Sequence, residues 1–323
     1  MIRITRRDLM LGATWGAFAQ EPKFSTEVKV VTLFATVHDR GGTVITNLNK
    51  EDFLVDEDGV RQRILYFSRE SDLPLTIGLL VDTGKRAIES GFLDNHRPGG
   101  PLEWLVKDKR AASYTFLDRV LREGKDRAFV AHFDYRVEVL QDLTYSRTEL
   151  ESALKKLEVA RRLGTRLFQA VRNCSEEQMR KQPGRKAFVI LSDGLDPHDP
   201  TTITTAIEFA QRADVIIYSI LFNEITRIER IDPAVAAAFP LIHAKGKHTM
   251  QRLAQETGGE FFELSKNRPI EQIYASIEEQ LRTQYSIGYT PEQKDREGQY
   301  RKIRLTTRQP GLIVQTRAGY FTE

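Results

Sequence analysis

Over residues 24–67 apolar and polar positions alternate. Val28, Val30, Thr32, Phe34 and Thr36 share one face of an extended chain, the period-two mark of a half-buried strand. Asp39-Arg40-Gly41-Gly42 reads as a turn, and residues 47–53 as a short helical or turn connection. Two further runs, 53–55 and 64–67, flank Glu57-Asp58-Gly59, where glycine supplies a positive φ. So few strands do not make a stable sandwich, and the segment needs partners from elsewhere. The far end of the chain has them. Residues 285–289, 300–306 and 312–316 are β-type runs separated by Pro291, Glu297-Gly298 and Pro310-Gly311. Both ends are therefore expected to pair into one small β-sandwich with the middle inserted; two independent β appendages are the alternative.

The middle, from about Leu75 to Arg282, has a different rhythm. Residues 75–81 are continuously apolar, as in a strand covered on both faces, and 128–133, 187–191 and 215–221 repeat that character. Amphipathic stretches lie between and after them at 103–121, 147–157, 167–180, 202–212, 248–257 and 269–283. The alternation predicts an α/β fold, a doubly wound, mainly parallel sheet with helices on both faces. The expected division is a β segment over 20–72, the α/β domain over 73–283, and a C-terminal β segment over 284–323. Binding sites in such folds lie beyond the carboxyl ends of strands, so the loops after the apolar runs hold the candidate chemistry.

Three of those loops stand out: Asp82-Thr83-Gly84-Lys85-Arg86 after the first run, Gly164-Thr165 before a helix, and Ser192-Asp193-Gly194-Leu195-Asp196 after another strand. On these pieces, and on Glu51-Asp52-Phe53 through Glu57-Asp58-Gly59 ahead of them, the chain resembles the von Willebrand factor A (vWA) family, in particular bacterial vWA-related proteins with a small preceding β segment. In that family the first loop reads Asp-x-Ser-x-Ser. With a Thr and an Asp from the other loops it forms a metal-ion-dependent adhesion site, which holds a divalent cation, usually Mg²⁺, through oxygens. The resemblance implies that Asp82, Thr165 and Asp193 occupy the metal positions, with Thr83, Arg86 and Asp196 on a possible binding face. Gly84 and Arg86 depart from the motif: one brings no oxygen, the other a permanent cation. Three arrangements are open: a weakened Mg²⁺ site, an Arg86 salt bridge between Asp82 and Asp193, or satisfied loop polars, with Asp82 and Asp193 in turns or caps and Thr165 capping the following helix.

The first residues change the picture of location and charge. Thr5-Arg6-Arg7-Asp8-Leu9-Met10 resembles a twin-arginine export signal; an apolar stretch runs to Phe18, and Ala17-Phe18-Ala19 fits a cleavage site. Residues 1–19 are thus expected to be an export leader, placing the mature chain in the periplasm or outside the cell. The formal net charge of +3 falls to +1 without its three arginines and one aspartate. No basic footprint for nucleic acid remains. No apolar run reaches bilayer-spanning length, and the single Cys174 rules out an internal disulfide or a cysteine zinc cluster.

Other candidates read as structure. Asp196-Pro197-His198-Asp199 is expected to be a solvated loop with Thr201 or Thr202 capping the next helix. His243 and His248 flank a basic loop at a spacing unsuited to zinc. Residues 181–186 are expected to form an exposed turn, and Cys174, Phe116, Phe168, Phe188 and Phe209 to pack in the core. No nucleophile elbow, phosphate loop, dinucleotide fingerprint or His-Glu-x-x-His occurs. The function expected is a non-enzymatic interaction or adhesion module that binds a protein partner, with an envelope scaffold as alternative. A hydrolase using Asp193, Asp196 and Asp199 around a metal ranks behind both.

Overall fold

The computed structural model describes residues 30–69, 74–84, 101–196, 199–222, 233–292 and 298–322. The expected leader at 1–19, Arg86, and Pro197-His198 lie outside the described residues.

Six strands form the central sheet: β5 (Leu75–Asp82), β6 (Arg127–Phe133), β7 (Val137–Thr144), β8 (Arg185–Ser192), β9 (Val215–Leu221) and β10 (Phe261–Glu263). Their order is β10-β9-β8-β5-β6-β7, parallel throughout except for β7, which runs antiparallel to β6 at one edge. Every residue of β5, β8 and β9 is buried, as the uninterrupted apolar runs require of strands covered on both faces. Side-chain alternation sends Leu75, Ile77, Leu79 and Val81 into the core beneath α1 (Pro101–Arg119), α2 (Arg147–Leu154) and α6 (Ile270–Arg282). The opposite core lies under α3 (Leu167–Cys174), α4 (Ile203–Arg212) and α5 (Pro233–Thr257). This is the doubly wound α/β architecture read from the pattern.

The flanking strands are β1 (Val31–His38), β2 (Phe53–Glu57), β3 (Val60–Gln62), β4 (Ile64–Ser68), β11 (Tyr285–Tyr289), β12 (Tyr300–Thr307), β13 (Ile313–Gln315) and β14 (Gly319–Phe321). They build two antiparallel four-stranded sheets, β13-β1-β11-β4 and β14-β12-β2-β3, each drawing strands from both ends of the chain. One core joins them, in which Phe53, Phe67 and Tyr285 stack at 5.0–5.8 Å. Interleaved ends, rather than independent appendages, therefore hold the flanking sheets together.

Several local expectations change. β7 and β10 stand where no strand was read, because β7 is a partly exposed edge strand and β10 has three residues. The helix expected over 167–180 is α-helical to Cys174 and continues as a π turn, Ser175–Met179. His243 and His248 sit inside the 25-residue α5, not in a loop. Glycine 246 within it lets the helix backbone press on Asp193: a Cβ there would lie 2.0 Å from the Asp193 carbonyl oxygen. Arg185 and Lys186, read as an exposed turn, are buried as the first residues of β8. Phe116 and Phe188 are core residues as expected, whereas Phe168 and Phe209 are half-buried. Cys174 is buried, and desolvation pushes its thiol up to about 12, which suits a packing group rather than a nucleophile. None of the described helices is long and apolar enough to cross a membrane.

Candidate functional site at the carboxyl pole of the sheet

β5 enters the sheet between β6 and β8, so the chain winds one way to β6 and the other way to β8. The crevice between the ends of β5 and β8 is thus the topological switch point, where neighbouring loops part and leave room for a site. Asp82 ends β5 and Ser192 ends β8. Across the crevice Ser192 Oγ donates to Asp82 Oδ2 at 2.7 Å, and Asp82 Oδ1 accepts from the Gly84 amide at 2.8 Å. Both carboxylate oxygens are engaged inside the fold, and Asp82 is buried. Lys109 of α1, itself buried, donates from Nζ to the Asp82 carbonyl at 2.8 Å.

The structure brings Thr165 to the same point. A Cβ on Gly84 would lie 2.1 Å from Thr165 Oγ1, 2.9 Å from Asp82 Oδ1 and 2.9 Å from the Gly164 carbonyl. Glycine at 84 is therefore a packing requirement: the Thr165 hydroxyl stands where a side chain would begin. Asp193 follows Ser192 and closes its own turn, with Oδ1 accepting from the Leu195 amide at 3.0 Å. Thr83 is buried, and its hydroxyl meets His132 Nδ1 at 2.9 Å, so it contributes to the floor and not to an exposed surface.

Asp196 and Asp199 take a role the sequence did not suggest. Thr165 is not the cap of α3; the N-cap position is Arg166, which makes no side-chain capping bond. Instead Asp196 Oδ2 accepts from the Phe168 amide at 2.9 Å and Asp199 Oδ2 from the Gln169 amide at 2.7 Å. Two carboxyl groups thus satisfy the free amides at the positive end of the helix. Asp199 also holds the Thr201 amide, and Thr202 caps α4, as expected. Desolvation, with Asp199 close by, pushes the Asp196 carboxyl up to about 8. Neutralising Asp196 relieves the repulsion of two acids at one helix end.

The rim is basic and aromatic. Asp134, after β6, closes a tight turn with Arg136 through its side chain at 2.8 Å and its amide at 2.9 Å. Desolvation raises the pKa of the buried Asp134. That turn presents Tyr135, whose ring lies 5.6 Å from the Arg136 guanidinium and 5.5 Å from that of Arg162. Gly164, at φ +136°, packs against Tyr135 and ties this rim to the Thr165 floor. Beside it Leu163 is 50% exposed, a large apolar side chain in solvent between exposed arginines 161 and 162 and the half-buried Tyr135. Sequence reading placed Ser192 in a candidate loop without giving it a role, and missed Lys109 and this rim; two arginines directly before Leu163-Gly164 were the available signal.

A divalent cation of the family's type does not fit these residues as they stand. Position 84 supplies no oxygen and has no room for one, both Asp82 oxygens accept hydrogen bonds, and Asp196 favours its neutral form. Among the described residues no group of three His, Cys, Asp or Glu side chains is arranged to hold a metal.

No protein-family model matches the chain, and no curated protein matches it. Solved structures that it resembles include a von Willebrand factor type A protein from Catenulispora acidiphila, at 10% identity and TM-score 0.48, covering 86% of this chain and 76% of that one. Another is the vWF domain of the type V pili tip protein Mfa5 from Porphyromonas gingivalis, at 12% identity and TM-score 0.47, covering 64% and 95%. A third is proximal thread matrix protein 1 from the mussel byssus with a zinc-occupied MIDAS motif, at 12% identity and TM-score 0.47. It covers 71% of this chain, and this chain spans half of its length. The structural neighbours thus include vWA domain proteins, at identities that concern the fold alone; the strand order and helix layers above carry the fold assignment by themselves.

Proposed function

We propose that this chain is an exported, non-enzymatic interaction module that binds a protein partner at the carboxyl pole of its central sheet, without a metal ion. The observation that carries the reading is the rim: Tyr135 between Arg136 and Arg162, with Leu163 exposed beside it. Tyrosine and arginine around an exposed apolar anchor have the composition of binding hot spots. Arginines at positions 161 and 162 suit an acidic group on the partner, which guanidinium recognises by paired hydrogen bonds, while Arg136 is paired with Glu138 at 3.1 Å. In vWA proteins a metal draws in such a group; here the arginines would do so. Asp82, Thr165 and Asp193 then serve as the floor that fixes the rim loops, within an α/β domain spanning 73–283.

The hydrolase reading loses support from the carboxylates themselves. Asp196 and Asp199 hold the α3 amides, which leaves them poorly placed to activate water. Export rests on the twin-arginine-like leader.

The test has two arms. Titrating the mature chain with Mg²⁺ and Mn²⁺ in a calorimeter is expected to give no heat of site binding. Capture from an envelope extract is expected to recover the same partner with or without EDTA, and to lose it in Arg162→Glu and Leu163→Ala. Saturable metal binding abolished by Asp193→Ala would overturn the metal-independent mode. Capture unchanged in both rim variants would overturn the face and favour an envelope scaffold.

A further inference from the structure

At the opposite pole of the central sheet a cleft of about 460 Å³ opens between the flanking β-sheets and the starts of β8 and β9. Its size falls within the range of small-molecule sites. Three cations line it: Lys186 of β8, Arg212 at the end of α4, and Arg317 just before β14. Two are neutralised. Arg212 pairs with Glu208 at 2.9 Å while lying 4.6 Å over the Phe321 ring, and Arg317 donates to Asp214 and to the Thr32 carbonyl.

Lys186 is different. It occupies the second position of a fully buried parallel strand, on the face that carries Phe188 and Ile190 into the apolar core, a place for valine or isoleucine. It is only 7% exposed, yet among the described residues its ammonium has no hydrogen-bond or ion-pair partner; Asp214 acts on it only through space. Desolvation accordingly lowers its pKa. A lysine this buried, which lines a cleft of this size and whose ammonium has no protein partner among the described residues, offers a single cation for a bound anion to pair with.

We propose that this cleft binds a monocarboxylate with an apolar or aromatic body, its carboxylate on Lys186 and its body along Tyr320 and Phe321. A single negative charge matches the one uncompensated cation. A phosphate dianion would leave surplus negative charge beside Asp214. The site is independent of the partner face, which lies at the other end of the strands. A free acid and the carboxyl terminus of a peptide present the same chemistry, and the experiment separates them.

The full chain is titrated by calorimetry and by nuclear magnetic resonance with 4-phenylbutyrate, its amide and phenyl phosphate. A tripeptide ending in phenylalanine is added in free-acid and amidated forms. Saturable binding is expected for one or both free carboxylates, with the amides and the phosphate weaker by about tenfold or more. Lys186→Met is expected to remain folded, to melt at a higher temperature without ligand, and to lose that binding; Lys186→Arg is expected to keep it. Should Lys186→Met not fold, the Lys186 Nζ resonance in the wild type must shift with carboxylate and not with amide. Binding of acid and amide alike, no saturable binding of either carboxylate, or unchanged binding in a folded Lys186→Met would overturn the proposal.

Discussion

Position 84 shows how one residue decides the chemistry of a loop. Restoring the serine of the family motif would put a Cβ 2.1 Å from Thr165 Oγ1 and 2.9 Å from a backbone carbonyl, so the hydroxyl arrives only if the floor moves. Gly84→Ser is expected to lower stability by about 1–3 kcal/mol in denaturant unfolding, the usual cost of overpacking, without conferring Mg²⁺ binding. Asp196 carries a pH signature. Its carboxyl is pushed up in the folded chain, so the folded state holds a proton the unfolded state releases, and stability falls as pH rises from the ordinary carboxylate range to about 8. Asp196→Asn keeps an acceptor for the Phe168 amide and removes the titration. Near pH 8 it is expected to be more stable than the wild type by about 2 kcal/mol. The two proteins should converge toward pH 4. Melting curves across that range check both statements.

At the scale of elements, the amino ends of the strands are pinned by one buried carboxylate. Asp126 accepts from the Leu75 amide at 3.0 Å and from Arg122 and Arg282, and so ties α6 to the start of β5. Burial alone would raise its pKa, but the hydrogen bonds from Arg122, Arg282 and Leu75 outweigh it and the net shift is downward. Its contribution is therefore present above the ordinary carboxylate range and lost as pH falls through the lower folded value. Asp126→Ala is expected to cost about 3 kcal/mol, because it strands Arg282 with an unmet charge; urea unfolding at neutral pH measures it. The same scale marks what patterning can reveal. Buried parallel strands and long amphipathic helices were legible because burial on two faces leaves an unbroken apolar run. β7 was not, because an edge strand with one wet face resembles a loop. α5 hid its first half behind Pro240 and Gly246, residues that usually interrupt a helix. Within the site, Asp82, Thr165 and Asp193 were legible from loop position. The capping of α3 by Asp196 and Asp199 was not, since 28 and 30 residues separate donor from acceptor.

For the whole molecule the decisive feature is that each flanking sheet takes strands from both ends of the chain. β1 lies between β11 and β13, and β12 between β2 and β14, so both neighbouring strands of β1 come from the last forty residues. A chain ending at residue 283 keeps the central sheet and strips β1 of both neighbours. Limited proteolysis is expected to cut it within β1 while sparing the buried strands β5, β8 and β9, where the intact protein resists cleavage in all four. This interleaving also fixes the two poles: the anion cleft where the β-sheets meet the starts of the strands, and the partner face at their ends. The central claim concerns that second pole and is tested most directly by a photo-crosslinking side chain placed at Leu163 of the full chain in the cells that produce it. The account predicts a discrete protein adduct from position 163, unchanged by EDTA, and none from the equally exposed Tyr66 on the flanking sheet. No adduct from 163, or the same adduct from Tyr66, would contradict it.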